Sequence, residues 1–169
     1  KNIVFYEVYV DKFAENFAGF AQKMGYLKKL GIGCIHVLPH YPSPIVDDGY
    51  DVSDYINVRH DLGTLDDFKN FTAKAHEAGI RVMIDFVLNH VSVQHPWFTK
   101  KRDFFLWSKT GEEFSSAVNP FTDIKSNNWI YNPPTGDYYF STFYPEQADL
   151  NWDNLEVFAE MMRVVDFWV

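Results

Sequence analysis

The run Ile80-Arg81-Val82-Met83-Ile84-Asp85-Phe86-Val87-Leu88-Asn89-His90 is apolar on both faces as far as Leu88, apart from Arg81 and Asp85. A continuous apolar strand of this kind belongs to a parallel sheet covered on both sides, so Ile80 to Leu88 is expected to be a buried strand. Upstream, Leu65, Phe68, Phe71 and Ala75 recur at three- and four-residue spacing and predict a helix. Thr64 reads as its N-cap, with Asp67 three residues on as a capping-box variant, and Gly79 as its stop. A turn-rich loop from His40 to about Gly63 precedes that helix. Before the loop lies a second buried-type strand, Gly33 to Pro39, closed by the proline. Phe17, Phe20, Met24, Leu27 and Leu30 predict one helix ending at Gly31. Asn2 to Val10, rich in Val, Ile, Tyr and Phe, predicts a first strand. Strand–helix–strand–helix–strand with right-handed crossovers makes the three strands parallel.

The rhythm breaks after His90. Residues 91 to 152 hold Pro96, Pro120, Pro133, Pro134 and Pro145, many aromatics and no long periodic segment. A structureless loop of that length is unusual in a compact domain, so a small inserted subdomain of short strands and turns is expected. A last helix is expected from near Asp153, with Glu156 completing a capping box. Leu155, Phe158, Met161, Met162, Val165 and Trp168 would form its apolar face. The pattern is α/β and matches the first three strands of an eight-stranded (β/α)8 TIM barrel. Residues 1–90 would be three β/α units, 91–152 the insert and 153–169 the third barrel helix. Three strands alone leave open edges, so the chain is expected to belong to a longer polypeptide, with the remainder of its own barrel as its partner.

Composition narrows the function. Of 169 residues, 47% are hydrophobic and 22% charged, which is globular usage. The net charge of −8 argues against nucleic-acid binding, which needs a basic stripe. No apolar run is long enough for a membrane-spanning helix. The one cysteine, Cys34, lies inside the apolar run Cys34-Ile35-His36-Val37-Leu38 and reads as a buried reduced thiol. Localisation stays open, with that thiol tilting slightly to the cytoplasm. There is no phosphate loop, no GxGxxG, no His-Glu-x-x-His and no cysteine pair.

Three segments carry chemistry. Asp47-Asp48-Gly49-Tyr50-Asp51-Val52-Ser53-Asp54-Tyr55 follows the second strand, and Asp85-Phe86-Val87-Leu88-Asn89-His90 ends the third. In a β/α barrel that end of the strands is where chemistry is done. A carboxylate such as Asp47 can accept hydrogen bonds from two sugar hydroxyls, and the Tyr50 ring can stack on a pyranose face. The plain alternative is an acidic surface loop with a packed tyrosine. Asp85, a carboxylate in an apolar strand, must be paired or hydrogen-bonded. His90 can donate to a sugar hydroxyl, or be an ordinary structural histidine. Asn89 with Asp149 is an alternative pair of oxygen ligands for a metal, although such a site needs several more. Gln147-Ala148-Asp149-Leu150-Asn151-Trp152 precedes the last helix and reads by itself as a helix lead-in.

Together these segments resemble the α-amylase superfamily, glycoside hydrolase family thirteen. Asp85 to His90 is similar to that family's DxxxNH signature. Gln147 to Asn151 resembles the QpDLN signature of the oligo-1,6-glucosidase subfamily, with Ala148 where proline is usual. Tyr41-Pro42-Ser43-Pro44, Asp47 to Tyr55, Gly63-Thr64-Leu65 and Gln94-His95-Pro96-Trp97-Phe98 resemble trehalose synthases and exo-acting α-glucosidases. Tyr9-Val10-Asp11-Lys12-Phe13-Ala14 is also similar to amylosucrases.

The resemblance implies a barrel with a B domain inserted after the third strand, and a retaining double displacement on an α-glucoside or α-glucan through paired carboxylates. It makes Tyr50 the stacking platform, Asp47 the grip on the transferred glucose and His90 the partner of its 6-hydroxyl. Asp85 and Asn89 would shape the site. Phe143 and Trp152 would line the acceptor or leaving-group side. Nucleophile, acid/base and third carboxylate are all expected beyond Val169, so no catalytic carboxylate is assigned within the chain. No cofactor is assigned. Calcium is left open for the full-length protein, since Asp11 to Asn16 lacks the DxNxDG-type loop of many relatives. The resemblance leaves hydrolysis and transglucosylation both open. A non-catalytic amylase-like scaffold, as in transporter heavy-chain ectodomains, is the alternative to an enzyme.

Overall fold

The computed structural model describes residues 2–169. The described residues form two compact units, those up to Pro42 with Asn57–Phe86, and Ser43–Ile56 with Val87–Val169.

The first unit runs β1 (Phe5–Val8), α1 (Val10–Ala14), α2 (Phe17–Ala21), α3 (Met24–Leu30), β2 (Cys34–Val37), a 3-10 turn at His60–Leu62, α4 (Leu65–Glu77) and β3 (Arg81–Ile84). Its sheet has the order β1-β2-β3 with both pairs parallel, Val8 beside Val37 and Val37 beside Ile84. The three strands do not close on themselves. Phe17, Phe20, Leu27, Ile35, Phe71 and Ile80 form the buried core. The ring of Phe20 packs 4.6 Å from that of Phe71, and Phe17 lies 5.3 Å from the same ring. Burying each such ring contributes roughly 1.5–3 kcal/mol, which fixes α2 and α4 together on the sheet. The Thr64–Asp67 capping box forms as expected: the Thr64 hydroxyl accepts from the Asp67 amide at 3.2 Å, and Asp67 accepts from the Thr64 amide at 2.8 Å. Cys34 is buried and unpaired.

Three expectations are corrected here. The helix expected from Phe17 to Leu30 is two helices, preceded by a third that takes Val10 out of the first strand. The apolar spacing continues across the break at Gln22–Lys23, so periodicity cannot see it. Gly19 makes the α1–α2 corner possible, because a Cβ there would stand 2.3 Å from the Ala14 carbonyl oxygen. Second, β3 ends at Ile84 rather than Leu88, and His90 opens a different strand. Third, β3 is not covered on both faces: Arg81 and Met83 are exposed.

The second unit contains β4 (His90–Ser92), α5 (Pro96–Lys100), β5 (Trp107–Ser108), β6 (Trp129–Asn132), β7 (Asp137–Phe140), β8 (Gln147–Asp149) and α6 (Leu155–Trp168). β4 and β8 pair antiparallel, with His90 opposite Asp149 and Ser92 opposite Gln147. β5, β7 and β6 form an antiparallel sheet with β7 in the centre. An isolated bridge joins Phe105 to Leu150. Tyr55 is buried, and its hydroxyl donates to the Val87 carbonyl at 2.6 Å, anchoring the 43–56 loop.

Helix α6 starts differently from the expectation. Asn154, not Asp153, is the N-cap, and it accepts from the Glu156 amide at 3.0 Å. Glu156 is then too early in the helix to close a capping box. Its buried stripe is Val157, Met161 and Val164, whereas Leu155, Phe158 and Met162 are exposed. The helix is apolar on more than one side, so spacing alone does not choose the face.

Candidate functional site

The 43–51 loop is built around Asp51, which is fully buried. Its carboxylate accepts from the Ser43 hydroxyl at 2.7 Å, the Val46 amide at 2.9 Å and the Asp47 amide at 3.3 Å. Ile45, Asp48 and Gly49 adopt φ of 60°, 47° and 102°. A β-branched residue in the left-handed region is strained, and the Asp51 carboxylate is what holds the loop there. The tight turn brings the Tyr50 amide to the Asp47 carbonyl at 2.8 Å, which leaves both side chains half-buried on one loop.

The β4–β8 pair supports this loop. The Gln147 amide donates to Asp47 Oδ2 at 2.9 Å, while its carbonyl accepts from the Tyr144 amide at 2.8 Å. Gln147 is thereby locked in one orientation and fixes Asp47. His90 is buried and packs 5.2 Å from the Phe143 ring. Burial lowers its pKa to about 4, against the opposing influence of the Tyr50 backbone carbonyl and the Asp51 carboxylate, so the ring is neutral at pH 7. The Asn89 amide lies 3.2 Å from His90 Nδ1. With Asn89 as donor, Nδ1 is the acceptor and the proton sits on Nε2. Nε2 is buried and meets no well-aligned hydrogen-bond partner among the described residues, although the Tyr50 carbonyl stands close enough to favour the charged ring.

Asp149 accepts from the Thr142 amide at 3.0 Å and the Thr142 hydroxyl at 2.5 Å, and from the Asn89 side chain. Burial raises its pKa, opposed by these donors and by the positive charge of Lys125. Lys125 is itself buried, and its pKa falls to about 8 for the same reason, with Asp149 opposing. The Asn89–Asp149 pair does not fit a metal ion. Asn89 turns its donating end to the carboxylate, and no cluster of three or more His, Cys, Asp or Glu side chains able to hold an ion occurs among the described residues.

Of the residues singled out from sequence, Asp47, Tyr50, Asn89 and His90 lie in the second unit, and the first unit holds Asp85. Asp85 continues the β2–β3 pairing, its amide donating to Val37 at 2.8 Å and its carbonyl accepting from the Tyr41 hydroxyl at 2.9 Å. Phe143 lies against His90, and the Trp152 indole donates to the Leu88 carbonyl at 2.9 Å. Sequence reasoning missed Asp51, Thr142 and Lys125, and saw Gln147 only as part of a signature. Asp51 stood inside the quoted loop, where an acidic residue among turn formers was a usable signal. Lys125 stands among polar loop residues and carries none.

The family model described as "Alpha amylase, catalytic domain" matches residues 10–169. A trehalose synthase of Pimelobacter is 41% identical over 100% of this chain and 32% of its own length. The oligo-1,6-glucosidase of Parageobacillus thermoglucosidasius is 34% identical over 100% of this chain and 33% of its own. The crystal structure of the trehalulose synthase MutB from Pseudomonas mesoacidophila superposes with a TM-score of 0.86 at 37% identity, covering 98% of this chain and 32% of that one. Isomaltulose synthase PalI from Klebsiella gives 0.87 at 35%, with the same coverage. The chain thus spans about a third of the length of these relatives, from 32% to 33%. Matched by the family model over most of its residues and by relatives over its whole length, this chain belongs to the α-amylase catalytic-domain family.

Proposed function

We propose that the second unit carries the glucose-holding half of an α-glucoside-processing site, within a retaining glycosidase or transglucosidase of carbohydrate metabolism. The observation that carries this reading is His90. It is a neutral, buried imidazole whose Nε2–H has no well-aligned partner among the described residues. The Tyr50 backbone carbonyl is the acceptor beside this ring, and a sugar hydroxyl oxygen would offer it a further one. Asp47, with one oxygen held by Gln147, can accept from two neighbouring hydroxyls of the same ring, and Tyr50 offers a face for its C–H side. One solved relative supports the substrate class: the D200A mutant of MutB has been crystallised with glucose, at 38% identity and a TM-score of 0.86.

On this reading the three parallel strands are the start of a (β/α)8 barrel, residues 91–152 its inserted B domain and α6 its third barrel helix. Asp85 keeps the site-shaping role that the DxxxNH signature implies. The chemical step belongs to carboxylates outside this chain. In the intact enzyme, Asp47→Ala and His90→Ala are each expected to lower kcat/KM for an α-glucoside by about 100-fold or more, chiefly through kcat, because these contacts tighten in the transition state. Near-normal turnover by both variants overturns the assignment. Wild-type protein that binds but never turns over α-glucosides points instead to the non-catalytic scaffold.

A further inference from the structure

The buried Lys125 stands at the end of a polar chain that leads to His90. Its ammonium donates to the Ser141 carbonyl. That carbonyl belongs to the same peptide unit as the Thr142 amide, which donates to Asp149 at 3.0 Å. One peptide dipole therefore lies between a cation at its oxygen and a carboxylate at its N–H, the orientation in which both charges polarise it favourably. The Thr142 hydroxyl adds a second bond to Asp149 at 2.5 Å, and Asn89 donates to the same carboxylate. Asn89 in turn lies 3.2 Å from His90 Nδ1, and Asp149 is the residue paired opposite His90 between β4 and β8. A buried carboxylate needs a counter-charge or it takes up a proton. A protonated Asp149 would lose acceptor capacity, free the Asn89 amide and leave His90 without a fixed tautomer.

We propose that Lys125 is a positioning residue of the candidate sugar site: acting through the Ser141–Thr142 peptide, its ammonium keeps Asp149 an ionised acceptor, and Asp149 holds Asn89 so that His90 carries its proton on Nε2. The internal ammonium thus takes the electrostatic role that a bound cation would have at Asn89 and Asp149. The proposal rests on the reading of His90 given above, and its test has a readout independent of turnover.

The intact enzyme, with histidines labelled in 15N, is compared with Lys125→Gln and Lys125→Ala. Gln keeps an N–H for the Ser141 carbonyl but has no charge, so it separates the charge from the hydrogen bond. The 15N spectrum of wild-type His90 should show a single Nε2–H tautomer at pH 7. Both variants should show a mixture, and kcat should fall by about 10-fold or more with a smaller change in KM. Propylammonium should restore the tautomer and part of kcat to Lys125→Ala in a saturable way, and should do nothing for Lys125→Gln. An unchanged His90 spectrum in Lys125→Gln, or full activity in it, overturns the proposal. Should Lys125→Ala fail to fold, the Lys125→Gln spectrum decides alone. Should neither variant fold, Asp149→Asn still tests the chain: a wild-type His90 spectrum there overturns the proposal. A tautomer shift in an enzyme that turns over no α-glucoside leaves the positioning chain standing and refutes the sugar reading instead.

Discussion

Acid should loosen the β4–β8 pair, and His90 should account for a definable share. Folded, its pKa is about 4, while in an unfolded chain it is 6.5, and the first cause of the difference is burial. The unfolded state therefore binds more protons between those values, and stability rises with pH across the window. His90's contribution is fully present above 6.5 and is lost as the pH falls toward 4. Integrating that linkage between pH 7 and pH 5 gives a loss of about 2 kcal/mol from this one imidazole, a large share of the roughly 5–15 kcal/mol of a typical domain. Hydrogen exchange reads it locally in the intact protein. The Ser92 amide bonds to the Val52 carbonyl at 2.9 Å, and the Leu150 amide to that of Asn89 at 2.9 Å. Their opening free energies, corrected for the intrinsic pH dependence of exchange, should fall between pH 7 and pH 5. In His90→Gln, which has no group titrating there, the fall should be smaller by about 2 kcal/mol. Other groups, including His95, whose pKa burial likewise lowers to about 4, are common to both proteins and cancel. Equal falls in both, within about 0.5 kcal/mol, would show that His90 is not buried neutral and would remove the basis for its assigned tautomer.

Further outcomes follow from single contacts. Thr64→Ala removes the capping hydroxyl of α4 and should cost about 1 kcal/mol of stability in urea unfolding of the first unit's core; no change would mean that the box forms without strength. Phe20→Ala, at a fully buried ring against Phe71 and Phe13, should cost roughly 3–5 kcal/mol, and a loss below 1 kcal/mol would contradict the packing. Asp51→Ala strips three donors of their acceptor, so the Val46 and Asp47 amides should exchange with solvent far faster and the intact enzyme should lose affinity for its sugar. Unchanged exchange there would mean that other contacts hold the loop. Gln147→Leu should lower kcat more than it raises KM if Gln147 acts only by orienting Asp47, whose contacts tighten in the transition state, which steady-state kinetics decides.

Much of this protein is written locally. The three parallel strands, the Thr64–Asp67 cap, the Gly31 and Gly79 stops and the irregular stretch after residue 90 follow from side-chain period and from capping chemistry, which act over a few residues. Short signatures likewise brought Asp47, Tyr50, Asn89 and His90 into view. What period could not decide was the corner between α1 and α2, which depends on one close backbone approach at Gly19, or the buried face of α6, where two apolar stripes compete and neighbours choose. The supports of the site were equally out of reach. Gln147 meets Asp47 across 100 residues of sequence, and Lys125 reaches Asp149 only because the Ser141–Thr142 peptide lies between them. Side-chain type declared which groups could grip a sugar. Their orientation, tautomer and charge depend on burial and on partners distant in sequence, and only the folded chain supplies those.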